Sequence, residues 1–322
     1  MKTAFDRRTE GERERVLMEA VRSGTLGPRE LERRRLRFPV KLQVQTASPC
    51  NAACTMCPWP ETAKRLPQGF MEEGVYRRLL EQVAGRGVER TSLFLMNEPL
   101  VDKRLPRFTA LLKEAEPATA AVIFTNGLLL TAERALELAE AGLDEIDVSV
   151  IGFDPETYGR HMKGLDFGRV MANLEAVGAL AASGELGGLR VQVVGLELPG
   201  VAEGVAGFRE RTGLPVYLKP VTNRAGNVTA ERLRSLGAEP EVEERFSACQ
   251  RPFVKAYVLF NGDVVLCNCD WSRTTILGNV TEASLEEIWN GPEYANIRRR
   301  HLLGELRAGS VCARCDYPYL VD

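Results

Sequence analysis

The sequence predicts an α/β protein on a parallel sheet, with a smaller cysteine-bearing module towards its C-terminal end. Three observations carry that prediction. Short apolar segments alternate with amphipathic ones six times between Val40 and Val221, which is the rhythm of βαβ units. The strand segments are nearly continuous apolar runs, as expected of strands covered on both faces. After about Asn223 the rhythm stops, and a hairpin signal replaces it.

Taken in order, residues 1–38 are rich in Arg and Glu. ERERVLMEAVRSG reads as an amphipathic helix ending at Gly24, and GPRELERRRLRF as a second short helix. The basic excess suits an anionic partner or, more simply, a solvated helical arm. VKLQVQT is then a strand running into a cysteine loop, GVYRRLLEQVAGRG a helix and RTSLFLMNEP a strand. PRFTALLKEAEP is helical, AAVIFTNG a strand ending in a turn, and TAERALELAEAG a helix opened by a Thr cap. EIDVSVIG is a strand, FGRVMANLEAVGALAASG a helix, GLRVQVVGLEL a strand, VAEGVAGFRERTG a helix and PVYLKPV the sixth strand. Beyond these, FVKAYVLFNGDVVLCNC predicts a hairpin turning at Asn261-Gly262, and SLEEIWNGPEYANIRRRHLL predicts helix.

Composition bounds the function classes. At about 150 residues per domain, 322 residues suggest one large domain with an appendage. With 44% apolar and 27% charged residues, disordered, collagenous and coiled-coil chains are excluded. Lys and Arg number 42 against 44 Asp and Glu, so no field of either sign favours nucleic acid or a membrane surface. No apolar run reaches the about 18 residues of a membrane span, and the charged N-terminal segment lacks an apolar signal core. The expectation is a cytoplasmic protein with neither nucleic acid nor membrane as partner.

The eight cysteines are the strongest signal. They fall at 50, 54 and 57, then at 249, 267 and 269, then at 312 and 315, with none between Cys57 and Cys249. In a reducing compartment such groups point to metal or cluster ligation rather than disulfides. Cys50-x3-Cys54-x2-Cys57 supplies three thiolates at the end of a predicted strand. Three protein ligands leave one iron of a [4Fe–4S] cubane open to a substrate or cofactor. Zinc would want a fourth close ligand, and neither His161 nor His301 is near in sequence. A set of inert buried cysteines is the remaining alternative.

At these residues the sequence resembles the radical S-adenosylmethionine (SAM) superfamily, which places Cys-x3-Cys-x2-Cys after the first strand of a partial (β/α)6 TIM-like barrel. Asn97-Glu98-Pro99 after the second strand is similar to the segment that holds the methionyl amine. Thr125 and Asn126 follow the third strand, where family members approach the cofactor. Ser149 and Gln192, on the fourth and fifth strands, match positions used for ribose or the methionyl carboxylate. Met56 departs from the pattern, since an aromatic residue usually stands there beside adenine. The resemblance implies SAM as cofactor, reductive cleavage to a 5′-deoxyadenosyl radical, hydrogen abstraction from an unactivated carbon, and an external one-electron reductant of flavodoxin or ferredoxin type.

The later cysteines resemble the twitch module, a shortened relative of the SPASM extension. That likeness implies a small α+β domain in which Cys249, Cys267, Cys312 and Cys315 ligate a second, auxiliary [4Fe–4S] cluster; structural zinc on the same thiolates is the alternative. Gly262-x4-Cys267 and LGNVTEASLEEIWN strengthen it. The chain then divides into an arm over 1–38, a radical SAM barrel over 39–225 and a twitch-type domain over 226–322.

Cys269 is left over by this assignment. On a strand it shares a face with Cys267, and it is a hydrogen donor to a substrate radical, an alternative ligand or a small buried residue. Tyr158 and His161 lie in a loop after the fourth strand, and Asp270 and Trp271 adjoin the auxiliary cysteines; all four are candidate substrate contacts, with ordinary packing as the alternative. Relatives of this kind modify aminocyclitols, aminoglycosides and sugar nucleosides, some in antibiotic biosynthesis, so the expected substrate is a small polar carbohydrate-like metabolite. The leading expectation is epimerisation at a carbinol carbon with hydrogen returned from Cys269. Oxidation to a ketone with the auxiliary cluster accepting an electron is the runner-up, ahead of decarboxylation and peptide modification. A non-catalytic iron–sulfur electron carrier would leave the open three-cysteine site without purpose.

Overall fold

The computed structural model describes residues 36–238 and 249–316, together with Ser23. The two helices expected before residue 36 lie outside the described residues.

Six parallel strands form in the expected places: β1 (Lys41–Val44), β2 (Arg90–Ser92), β3 (Ala120–Thr125), β4 (Glu145–Ser149), β5 (Arg190–Leu196) and β6 (Val216–Lys219). Their order in the sheet is sequential, so right-handed crossovers put the connecting helices on one face and the sheet curls as a partial barrel. Between β1 and β2 lie α1 (Trp59–Thr62) and α2 (Glu73–Val83), then α3 (Leu105–Ala115) and α4 (Ala132–Glu140). α5 (Pro155–His161) and α6 (Phe167–Ser183) follow β4, and α7 (Val205–Thr212) precedes β6. Alternation along the strands sends Leu42, Ala121, Ile123, Ile146, Val148, Val191 and Val193 into one apolar core with helix residues Leu79, Leu112, Leu138, Leu174 and Phe208. The intervening residues line the barrel, where Glu145 of β4 takes hydrogen bonds from Arg90 of β2 and Arg190 of β5. That triad gives the lower end of the barrel a charged floor, and the arginines hold the Glu145 carboxyl below its usual range despite the opposing effect of burial.

β2 is shorter than the ten-residue run suggested. Beyond Ser92 the chain curls: Leu95 N–H bonds the Asn97 side chain at 2.7 Å, and Met96 adopts a left-handed φ of 57°. The apolar run LFLM belongs to a buried loop, and apolarity alone does not separate a buried loop from a strand.

The C-terminal part adds α8 (Ala230–Ser235), α9 (Arg251–Val254), β7 (Lys255–Val258), β8 (Asp263–Val265), β9 (Ile276–Asn279), α10 (Leu285–Asn290) and α11 (Pro292–Leu303). The hairpin turns where expected, with Gly262 at φ 88° and its N–H bonded to Leu259 O. It does not stand apart from the barrel: β7 pairs parallel to β1, making one nine-stranded sheet of order β6-β5-β4-β3-β2-β1-β7-β8-β9. β9 escaped sequence reading because ILGN is short and carries a glycine that packs on Ile288. The expected single helix over 284–303 breaks between α10 and α11 at Gly291, whose extended ψ of 168° caps one helix and starts the next. Buried Arg298 secures that corner, donating to Pro252 O at 2.7 Å and Trp289 O at 2.8 Å and lying over the Trp289 ring. No helix among the described residues is long and apolar enough to cross a membrane.

Candidate functional site

The first cysteine loop leaves the carboxyl end of β1, where sites in parallel α/β folds gather. It is held from outside. Ala53 N–H bonds Lys163 O at 2.8 Å and Thr55 N–H bonds His161 O at 2.9 Å. Arg232 of α8 donates to the carbonyls of Thr55 and Cys57 and pairs with Glu61. Burial pushes the Cys50 thiol up to about 12 and raises Cys54 and Cys57 as well, the thiols of Cys50 and Cys57 adding their charge at Cys54. Such thiols ionise when a metal takes the proton's place. None of the eight cysteines forms a disulfide. Among the described residues, no three His, Cys, Asp or Glu side chains are gathered as for one ion; a cubane instead takes its thiolates at separate corners.

Glu98 locks three loops together. Its buried carboxylate accepts from Leu100 N–H at 3.0 Å, Thr125 Oγ at 2.7 Å and Asn126 N–H at 2.7 Å. Its own N–H bonds Pro49 O, and Asn126 Nδ2 donates to Asn51 of the cysteine loop at 2.7 Å. Burial raises Glu98 to about 7 against these three hydrogen bonds. A carboxylate has about four acceptor positions, so the protein already fills most of them. Pro99 starts the short 3-10 turn that follows. Beside it the buried Nδ2 of Asn97 has no partner, a donor suited to an oxygen of the cofactor. The donor set fits SAM and a three-thiolate cluster.

Along the barrel, Ser149 ends β4 half-buried, while Gln192 of β5 donates to Asp147 at 2.5 Å. Gln192 therefore engages a neighbouring strand, a partner unforeseen from sequence. Two expectations for substrate contacts need correction. Tyr158 is wholly buried in the core against Phe167, beside Cys54. His161 is buried behind the cysteine loop, its Nδ1 3.4 Å from Thr55 Oγ. His161 holds the loop at Thr55 through its carbonyl and ring, while the Tyr158 hydroxyl is buried without a partner.

The second cysteine group assembles from three stretches of chain. Cys267, Cys269, Cys312 and Cys315 share an apolar cluster with Tyr257, Leu95, Met96 and Val311. Cys249 enters through its backbone, whose N–H bonds His301 Nδ1 at 3.3 Å, while His301 Nε2 lies 3.3 Å from Cys312 Sγ. Arg251 Nη1 donates to Cys269 Sγ at 3.2 Å. Hydrogen bonds from the Cys267 and Cys315 side chains, with Arg251 and Arg224 nearby, hold Cys269 well below the usual thiol range, while Cys267 is pushed up. The Tyr257 hydroxyl is buried beside these thiols without a partner, as a donor awaiting a cluster sulfur would be. The residues present fit an iron–sulfur cluster.

Asp270, expected from sequence beside a substrate, is wholly buried, and its oxygens accept from Thr274 N–H, Thr274 Oγ and Thr275 N–H of its own turn. Trp271 does line a small surface recess with Trp59, Met96 and Arg273. Sequence reading missed His301, Arg251, Arg232 and Arg224. Arg251, two residues after a cysteine, carried a faint signal; the other three are brought in only by folding. Arg224 acts electrostatically on both Cys57 and Cys269, so its charge is within reach of both cysteine groups.

Comparison with known proteins finds two domains in the chain. The radical SAM superfamily profile matches residues 45–182, and the SPASM iron–sulfur cluster-binding domain matches residues 249–316. The chain is 24% identical over 276 residues to the S-adenosyl-L-methionine-dependent 2-deoxy-scyllo-inosamine dehydrogenase of Niallia circulans, covering 85% of this chain and 92% of the relative. It is 32% identical to the GTP 3′,8-cyclase of a Synechococcus strain, over 48% of this chain and 46% of that enzyme. The fold superposes on BtrN in complex with AdoMet and 2-DOIA with a TM-score of 0.59 and 23% identity, covering 87% of this chain and 93% of that one. It also superposes on Streptococcus suis SuiB bound to precursor peptide SuiA with a TM-score of 0.64 and 16% identity, covering 95% and 74%. The chain carries a radical SAM domain, which uses SAM and a [4Fe–4S] cluster, and a C-terminal SPASM-type domain with a further iron–sulfur site.

Proposed function

We propose that the protein is a dehydrogenase that oxidises a secondary alcohol of a small aminocyclitol- or sugar-like metabolite to a ketone. The observation that carries this reading is the position of Cys269. Its sulfur is buried among Cys267, Cys315 and the Arg251 guanidinium, and a guanidinium donating to sulfur favours thiolate over thiol. A thiolate has no S–H with which to return hydrogen to carbon, so the expected epimerisation loses its donor. The likeness to an aminocyclitol dehydrogenase over nearly its whole length supports the same choice.

In this reading Cys50, Cys54 and Cys57 hold the cluster that binds SAM, and Cys249, Cys267, Cys312 and Cys315 hold the auxiliary cluster. When bound, these groups supply hydrogen-atom abstraction from the carbinol carbon and a one-electron acceptor for the second oxidising equivalent. Glu98, Thr125 and Asn126 fix the loops around SAM, and Asn97 Nδ2 donates to it. Ser149, half-buried at the end of β4, would contact the cofactor, and Trp271 lines a recess with Trp59 and Met96. Arg224, whose charge reaches both cysteine groups, would be available to a hydroxylated substrate. The barrel and the SPASM-type region correspond to 39–225 and 226–322, the enzyme works in the cytoplasm, and a flavodoxin or ferredoxin supplies electrons.

Turnover in D2O tests the reading. Anaerobically reconstituted protein, SAM, a chemical reductant and 2-deoxy-scyllo-inosamine or related aminocyclitols should give 5′-deoxyadenosine and a product lighter by two hydrogens, without deuterium on carbon. An isomeric product carrying one carbon-bound deuterium would overturn it in favour of epimerisation.

A further inference from the structure

We propose that His301 is a positioning residue of the auxiliary cluster, donating a hydrogen bond to Cys312 and thereby raising the cluster's reduction potential. The inference rests on reading the second cysteine group as a cluster site. His301 sits in the last turn of α11, almost wholly buried. Its Nδ1 accepts the backbone N–H of Cys249 at 3.3 Å. A ring nitrogen that accepts cannot also carry the proton, so in the neutral ring the hydrogen is on Nε2. Nε2 is 3.3 Å from Cys312 Sγ, which makes the contact an N–H···S bond with the nitrogen donating. One imidazole thus joins the first cysteine of the group to a cysteine near its end, through a backbone bond on one side and a thiolate bond on the other.

The consequence follows from charge. A donor to a ligating thiolate stabilises the negative charge of the cluster, and the reduced cluster carries one electron more than the oxidised one. The reduced form therefore gains more, and the potential rises. An electron acceptor beside a substrate radical benefits from that direction. Arg251 contributes a second N–H···S donor close by, at Cys269.

The test uses the full chain with Cys50, Cys54 and Cys57 replaced by Ala, so that one cluster remains, and follows its reduction by EPR during a redox titration. With His301 intact, the chain should bind about four irons; no iron at all would remove the auxiliary-cluster reading and this proposal with it. His301→Ala should retain the iron and make the cluster about tenfold harder to reduce, a shift of about 59 mV to lower potential for one electron. His301→Gln, which keeps an N–H donor, should return part of that shift. An unchanged potential in iron-replete His301→Ala overturns the proposal. Loss of the iron from both His301→Ala and His301→Gln overturns it too, because His301 would then be a ligand.

Discussion

The two cysteine sites are built in opposite ways. Cys50, Cys54 and Cys57 lie on one loop, so their spacing is set by local chain geometry and the fold only has to hold the loop in place. Backbone bonds to His161 and Lys163 and the Arg232 side chain do this. The second group draws on Cys249, on Cys267 and Cys269 after β8, and on Cys312 and Cys315 beyond α11. Closing those long loops costs entropy before any ligand binds, and packing offsets it: β7 pairs with β1, Arg298 bridges α9 and α11, and His301 links Cys249 to Cys312. The first site should therefore fail mainly when its ligands are lost, whereas the second should also fail when its scaffold loosens.

Replacing Cys50, Cys54 and Cys57 together is the strongest test. Of about eight irons in the reconstituted protein, about four should remain, and SAM cleavage should vanish. Retained cleavage would break the comparison at its root. Next in size is Glu98→Ala, which leaves the buried donors of Leu100, Thr125 and Asn126 without their acceptor. At about 1–3 kcal/mol per orphaned group, unfolding of the iron-free protein in denaturant should show a loss of about 3 kcal/mol or more, with SAM affinity reduced. Wild-type stability would mean the three loops do not depend on that carboxylate.

Arg298→Ala sharpens the contrast within one chain. It removes buried bonds from a charged donor to Pro252 O and Trp289 O, worth about 1.5–3 kcal/mol each. Iron at the second site should fall while SAM cleavage persists; equal loss at both sites would show that the scaffolds are not separable. The smallest effect is expected of Arg232→Ala, whose side chain is partly exposed. Iron at the first loop should be released to a chelator several-fold faster, from a loss of about 1–2 kcal/mol, with the second site unaffected. Unchanged release would show that His161 and Lys163 hold the loop alone.

The barrel was readable because its information is local. Alternating strand and helix patterns need only neighbouring residues, and Leu42, Ile123, Ile146 and Val193 all entered the helix-facing core that their apolar runs implied. The Cys50, Cys54 and Cys57 spacing was equally local. LFLM misled because a buried loop is as apolar as a strand, and the loop's shape depends on Asn97 capping Leu95 and on the turn at Met96. Asp270, beside a cysteine, and Tyr158, in a segment after the fourth strand, both turned into the interior, because a place along the chain does not say which way a side chain points.

What the sequence by itself determined is the parallel α/β framework, the hairpin at Asn261-Gly262, and two groups of cysteines suited to iron. Tertiary structure alone decided that the hairpin joins the barrel's own sheet through β7 and β1, that Glu98 faces inward onto the third-strand loop, that Cys269 meets Arg251, and that His301 reaches both Cys249 and Cys312. Periodicity and spacing are properties of short stretches of chain. Which distant side chain completes a hydrogen bond is settled only when packing brings the stretches together, and a lone histidine on a helix carries no sign of its partner until then.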